Sequence, residues 1–357
     1  MPPSRALTDD LRAHALSLGF DTVGITSAAP FPDALAAIID RIDRGYFRGM
    51  GWFDHRRAVG STNPSSRLPW ARSIVAVGLA YGPALPVDGS SSQVRPGAAI
   101  VARSARGPDY HRLMRQRLRQ LARWLDQRGG SGARSQWSFD AGWLVDRAVA
   151  RRAGLGFYGD NACIITPRFG SWILLGAVLT SLELSPGEPV VGGCASCGAC
   201  IAACPTRALV APGVVDASRC VSYLTLEHAG SIPVALRSAI GNRLIGCDTC
   251  QDVCPHNRAA RAASLPDLLA PLGIGASPDP AELLLISEAE FVRRFGGTAV
   301  WRLGRERLAR NCVIVLGNVG GEGAVAASTR ALKDPSAVIR GHASWALEQL
   351  GSARAPA

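Results

Sequence analysis

The chain has 357 residues, enough for two or three domains at roughly 150 residues each. Hydrophobic residues make up 47% and charged residues 19%, too apolar for disorder, and 39 Gly with 23 Pro stay below the low-complexity range. Lys+Arg 39 against Asp+Glu 28 leaves a net charge of +11, a surplus that suits a polyanion such as nucleic acid. All but Lys333 of the basic residues are arginine, a bias that GC-rich coding also produces. No apolar run approaches the roughly 20 residues that span a bilayer. The opening MPPSRALTDD has no apolar segment behind it, so the expectation is a soluble cytoplasmic protein without a membrane partner.

Residues 1–185 mix strand and helix signals. Ser73-Ile74-Val75-Ala76-Val77-Gly78-Leu79 reads as a buried strand, and Trp172 to Leu179 as another. Between them Asp109 to Leu125 is helical. Leu113, Leu118, Leu121 and Leu125 make its apolar face, and Arg112, Arg115, Arg119 and Arg123 a solvated one. The Pro-, Ser- and Gly-rich stretch 83–97 connects or covers something. This alternation predicts an α/β domain.

Residues 186–258 hold the informative side chains. Eight of the ten cysteines fall between 194 and 254, which is not how disulfides are scattered. The first group, Cys194-x2-Cys197-x2-Cys200-x3-Cys204-Pro205, has the ferredoxin spacing, in which the fourth cysteine ligates the other cluster. The second, Cys247-x2-Cys250-x3-Cys254-Pro255, lacks its first member, and Cys220 is the substitute from a distance. Cys194, Cys197, Cys200 and Cys254 then hold one 4Fe-4S cluster, and Cys204, Cys220, Cys247 and Cys250 the other. Two zinc sites are the alternative, since CxxC pairs serve zinc as well. Cys163 and Cys312 sit in apolar runs and read as core residues.

Residues 259–357 begin with a linker-like stretch, 266–280, and then turn helical. Arg302 to Val319 reads as one helix ending in Gly320-Gly321. Asp334-Pro335-Ser336, Val338, Arg340, Ala343, Ala346, Leu347 and Leu350 fit a HEAT-type helix pair that leans on the rest of the chain. Arg302, Arg305, Arg307, Arg310, Arg340 and His342 are expected to line an outer face for phosphates.

Several separated segments carry a resemblance to a known family. They are Gly107-Pro108-Asp109-Tyr110-His111; Asp140; Ala153-Gly154-Leu155-Gly156; Gly170-Ser171-Trp172; Cys220-Val221-Ser222-Tyr223-Leu224; Gly241-Asn242-Arg243; Arg310-Asn311; Leu316-Gly317-Asn318; and His342-Ala343-Ser344-Trp345-Ala346. With them the whole chain resembles the epoxyqueuosine reductases, cobalamin-dependent iron–sulfur enzymes of tRNA queuosine synthesis. Two positions depart from the family pattern. Gly159-Asp160-Asn161 stands where the family usually has Gly-Lys-Asn, and Ser104 where an aromatic is common.

The resemblance implies removal of the epoxide oxygen of epoxyqueuosine in tRNA, with base-off cobalamin fed by two 4Fe-4S clusters and an external low-potential electron donor. It implies an α/β cobalamin-binding and catalytic domain over 1–185, a ferredoxin-like double-cluster module over 186–258, and a helical HEAT-like tRNA-binding region over 259–357, in a monomer. Asp140 matches the family's proton donor, and its apolar neighbours should raise its pKa and keep it protonated. Arg57, Asp140, Asn161 and Ser222 are the implied cobalamin contacts. Arg307, Arg310, Arg340 and His342 are the implied tRNA contacts. Two alternatives are weighed: a cobalamin iron–sulfur reductase of a small molecule, of the reductive dehalogenase type, and a non-enzymatic electron-transfer or RNA-binding protein. The former normally carries an export signal and lacks a basic helical tail; the latter has no need of Asp140.

Overall fold

In the computed structural model, residues 5–82, 98–140, 142–263 and 273–352 are described. The stretch 83–97 and the first part of the expected linker, 266–272, lie outside them. A four-stranded sheet organises the first half: β1 (Thr22–Ser27), β2 (Ser73–Ala80), β3 (Ser135–Ser138) and β4 (Ile173–Thr180). The spatial order is β1-β2-β4-β3, and every neighbouring pair is antiparallel. Both expected strands are present, each within a residue or two of its predicted bounds.

β2 is buried at all eight positions, because helices cover both sides of the sheet. Val75, Val77 and Leu79 point to a core shared with Leu11 and Ala15 of the helix Arg5–Ser17 and with Met114, Leu118, Leu121 and Leu125 of the helix Tyr110–Gly129. Ile74 and Ala76 point the other way, to Leu144, Val149 and Ala150 around the helix Asp146–Arg152. This is the period-2 alternation of a strand, with both faces apolar because both are covered. On the helix Tyr110–Gly129, Arg112, Arg115, Arg119 and Arg123 are exposed, as its amphipathic pattern predicts.

The second core lies in the other half and crosses the expected boundaries. Leu308 to Gly317 of the helix Gly304–Val319 are all buried. A helix apolar all round must be surrounded. Around it stand the helices Pro280–Leu284, Ala324–Ala331 and Ala337–Ser352. Val221, Leu224, Ile240 and Leu244 from the cysteine region join the same core, as do Ala99, Val101 and Ala105 from the first half. Ile100–Val101 also pairs in parallel with Arg243–Ile245. Gly317 lets the helices Gly304–Val319 and Ala337–Ser352 meet closely, since a Cβ there would lie 2.9 Å from Ala346 Cα. Among the described residues, no helix is long and apolar enough to cross a membrane.

Candidate active site and cysteine centre

Asp140 follows β3 and has φ +44°, a left-handed conformation that non-glycine residues rarely adopt. Such strain persists only where the surroundings hold it, and here they are specific. Gly142 closes the turn so tightly that a Cβ would lie 2.3 Å from Ser138 Oγ. Arg57, from the helix His55–Thr62, donates from Nη2 to the Gly142 carbonyl at 2.9 Å. Its guanidinium lies 4.9 Å from the centre of the Trp52 ring.

The start of the helix Tyr110–Gly129 reaches the same loop. Asp109 caps that helix, accepting from the His111 backbone N–H at 3.0 Å. The buried His111 ring stands between two carboxylates: Nδ1 is 2.6 Å from Asp109 Oδ1 and Nε2 is 2.6 Å from Asp140 Oδ2. Tyr110 donates its hydroxyl to Asp140 Oδ2 at 3.0 Å. The Asp140 side chain remains 48% exposed, so one side of the carboxyl is open to an incoming molecule.

The electrostatics overturn one expectation. Burial alone would raise Asp140, but the hydrogen bond and charge of His111, with the Tyr110 hydroxyl, outweigh it and hold the carboxyl below its ordinary value. Burial likewise works against the His111 cation, yet Asp109 and Asp140 together raise the imidazole above its ordinary value. The resting proton therefore belongs to His111 rather than to Asp140. Asp146, the first residue of the next helix, behaves differently: burial pushes it up to about 7, with the Asp140 charge adding to the shift.

The cysteines fall into two sets. Cys194 and Cys197 lie on a loop whose Ser196 and Gly198 are left-handed, and Cys200 lies on the short helix Ala199–Ala203. Cys254 is far in sequence, but Cys194 and Cys197 are its charge neighbours. Cys220, at the start of the helix Val221–Leu226, has Cys247 and Cys204 as neighbours, and Cys250 has Cys247 and Cys220. These neighbourhoods are compatible with the two quartets expected from the spacing. Among the described residues no three metal-binding side chains stand close enough to hold a single ion. Burial raises the thiols of Cys250, Cys220 and Cys254, and pushes Cys200 up to about 11. Loading a cluster must therefore expel protons. Cys163, expected in the core, is only partly buried and lies beside Cys250, Cys220 and Cys254, whereas Cys312 is buried in the second core.

The residues named as cofactor contacts separate into two groups. Arg57 and Asp140 meet at the Gly142 turn. Asn161 instead directs its side chain to the Cys163 N–H (3.1 Å) and the Cys250 carbonyl (3.5 Å), and the Ser222 N–H serves the Cys220 thiol. Around the Asp140 turn, four buried polar atoms have no hydrogen-bond partner among the described residues: Arg57 Nε, Ser138 Oγ, Trp143 Nε1 and Asp146 Oδ1. Unpaired buried polar atoms are rare, and four beside one strained loop mark a place where a polar ligand fits.

The expected phosphate face needs correction. Arg310 is 0% exposed and donates to the carbonyls of Leu224 (2.8 Å), His228 (2.7 Å) and Gly230 (2.8 Å), and to Asn311 Oδ1. His342 is also 0% exposed; its Nε2 accepts from the Ile232 N–H at 3.2 Å, and its Nδ1 lies 2.7 Å from the Val338 carbonyl. Neither reaches a ligand, because both tie the cysteine region to the terminal helices. Arg305 is paired with the buried Asp334 at 2.6 Å. Arg307 donates to the Leu226 carbonyl and Arg340 to those of Asp334 and Pro335, each retaining some exposure. The exposed Arg302 faces the active site, where its charge acts on Asp109, Tyr110 and Asp140. Sequence reasoning missed His111, Asp109 and Asp146 as parts of the site. The Asp-x-His spacing at a helix start was the available signal for the first two.

Comparison with known proteins agrees with this arrangement. Residues 193–257 match the 4Fe-4S double cluster binding domain, and residues 62–141, which end just past Asp140, match epoxyqueuosine reductase QueG, DUF1730. An epoxyqueuosine reductase of Xanthomonas campestris is 37% identical over 96% of this chain and 95% of its own. That of Bacillus subtilis is 38% identical over 97% and 88%. The crystal structure of an epoxyqueuosine reductase with an epoxyqueuosine-modified tRNA stem loop superimposes with TM-score 0.87 at 37% identity, covering 97% of this chain and 90% of that one. A Bacillus subtilis structure, whose catalytic aspartate loop is swung out of the active site, gives 0.86 over the same shares. Since the likeness runs through both cysteine quartets and the Asp140 loop, the chain belongs to the epoxyqueuosine reductase family.

Proposed function

We propose that this protein reduces epoxyqueuosine to queuosine in tRNA, the last step in making that nucleoside. The relatives' shared activity and the tRNA stem loop bound to one of them support the substrate. The observation that carries the reading is the Asp140 carboxylate, held by His111 at 2.6 Å and open on its other side.

Cys194, Cys197, Cys200 and Cys254 would hold one 4Fe-4S cluster, and Cys204, Cys220, Cys247 and Cys250 the other. Cobalamin is rich in amides and fits the loop where Arg57, Ser138, Trp143 and Asp146 have unpaired polar atoms. When bound, cobalamin fed by the clusters supplies the two electrons that no side chain can provide. Arg57 and Asp140 are its proposed contacts; Asn161 and Ser222 belong to the surroundings of Cys250 and Cys220.

The chain's own residues handle the protons. Converting the epoxide to an alkene consumes two electrons and two protons and releases water. Asp140 and His111 share one proton across their hydrogen bond. As charge develops on the epoxide oxygen, that proton, carried at rest on Nε2 of His111, passes through the Asp140 carboxyl to the oxygen and leaves the imidazole neutral. Asp109 holds the other ring nitrogen, fixing the imidazole's orientation and stabilising its cation, as a carboxylate does for a catalytic histidine. The second proton follows the same route once solvent has recharged His111. The raised value of Asp146 limits the build-up of a second anion beside Asp140.

Residues 1–185 would form the cobalamin-binding and catalytic domain, 186–258 the cluster module, and 259–357 the HEAT-like region that grips tRNA. Exposed Arg302 and Arg340 and the half-buried Arg307 are among its cations. The protein would act as a cytoplasmic monomer with an external low-potential donor. Anaerobic protein supplied with iron, sulfide and cobalamin tests the reading. It should carry about eight irons and convert an epoxyqueuosine stem loop to the queuosine form after chemical reduction. Stoichiometric zinc in place of iron, or loaded protein that leaves the epoxide intact, would contradict it.

A further inference from the structure

The turn between the short strands Phe157–Tyr158 and Ile164–Ile165 lies between the two cysteine quartets. Its two central residues face different ones. Asn161 reaches the backbone of Cys250, in the inner quartet. Asp160 belongs to the outer one: its backbone N–H donates to Cys194 Sγ at 3.2 Å, while its carbonyl accepts from the Gly213 N–H at 2.9 Å. With both backbone groups engaged, the position of the residue is fixed, and its carboxylate acts electrostatically on both Cys194 and Cys200. No ion pair involving Asp160 is present among the described residues, so its charge is not offset by a bound cation. The inner quartet differs in its local contacts. Ala208 N–H donates to Cys204 Sγ at 3.2 Å, and the Thr249 hydroxyl lies 3.3 Å from Cys247 Sγ.

We propose that Asp160 sets the reduction potential of the outer cluster, its carboxylate making that cluster harder to reduce than its cysteines and backbone hydrogen bonds alone would. The inference rests on the two-cluster reading. Reducing a cubane adds an electron to a group that already carries four thiolates, so a fixed negative charge alongside opposes the step. The N–H···S bond acts in the opposite direction, because it stabilises the more negative state. That bond comes from the backbone and survives any side-chain replacement, so substitution at this position isolates the charge. An electron placed on the outer cluster is thereby driven towards the inner one. Asp160 is a positioning residue for electrons and needs no contact with the substrate.

The test is an anaerobic redox titration of the loaded protein, followed by visible absorption and electron paramagnetic resonance. Wild type is compared with Asp160→Asn, Asp160→Lys and Asp160→Glu after matching iron content. One of the two cluster potentials should shift positive in Asp160→Asn and further in Asp160→Lys, while Asp160→Glu stays near wild type. The other potential should hold still in all three. Raising the salt should shrink the difference, because Asp160 is partly exposed. If Asp160→Lys fails to load its clusters, the Asn and Glu variants still decide. Unmoved potentials in Asp160→Asn, or equal movement of both clusters, would overturn the role of Asp160 and leave the cluster reading standing. Failure of wild type itself to form two reducible clusters would overturn both.

Discussion

Two buried polar networks use the same kinds of side chain for opposite ends. Around Arg310, Asn311 and His342, each side chain finds protein partners and the groups are fully buried. Around Asp140, His111 and Arg57, four buried atoms lack partners among the described residues, the backbone is strained, and one carboxyl stays half open. The closed network joins the cysteine region to the terminal helices. The open one leaves unmet hydrogen-bonding capacity in a fixed place, which is what binding and proton transfer require. The two histidines show the difference most clearly. Burial lowers His342 to about 4 and keeps it neutral, whereas two carboxylates raise His111 and keep it charged.

The comparison breaks most sharply at Arg310. Arg310→Met removes a buried guanidinium and strands the carbonyls of Leu224, His228 and Gly230. We expect a loss of about 3 kcal/mol or more in denaturant unfolding, the scale of breaking a buried charged network. Turnover per folded molecule should be unchanged. Tight tRNA dependence on Arg310 without loss of stability would return it to the phosphate face.

The histidines give the next effects, with opposite signs. Below pH 6.5 the unfolded chain protonates His342, while the folded chain resists until about 4, so His342 costs stability as pH falls through that window. His111 does the reverse. Its raised folded value contributes stability that is complete below its ordinary 6.5 and is lost as pH rises through the raised value. Single-turnover rates should follow the same proton, holding a plateau until His111 deprotonates. In His111→Gln the carboxyl must titrate on its own, and the rate should fall about tenfold per pH unit from near pH 4 upwards. A wild-type profile in His111→Gln would remove His111 from the proton path.

The smallest effect separates an open cation from a closed one. Arg302→Ala should lower the slope of log tRNA affinity against log salt by about 0.7–0.9, the value of one phosphate contact. It should leave thermal stability unaltered. An unchanged slope would place the tRNA elsewhere on the surface.

The sequence made the fold legible wherever one local pattern settled it. The all-apolar β2 segment had to be a covered strand, and the arginine spacing on the helix Tyr110–Gly129 had to face water. Cysteine spacing was clearer still, because a cubane imposes its geometry on the chain, and the 4Fe-4S double cluster match spans the same eight cysteines. Arg310 and His342 were misread for a physical reason. Composition shows that a tail is basic, but burial depends on what packs against each residue, and their partners lie some 80 to 110 positions away. Asp140 was identified by resemblance, yet its protonation was not, since its apolar neighbours in sequence suggested a raised value. His111, 29 residues earlier, reverses that direction through one hydrogen bond.

The central claim is that the open network performs the chemistry. Single-turnover reduction of an epoxyqueuosine stem loop by chemically reduced, fully loaded Asp140→Asn tests it most directly. The variant keeps the shape of the side chain and should fold and take up its iron and cobalamin. It cannot release a proton at neutral pH, so its rate should drop by about 10²-fold or more, the usual scale of general acid catalysis. A near wild-type rate in a loaded Asp140→Asn protein would contradict the claim.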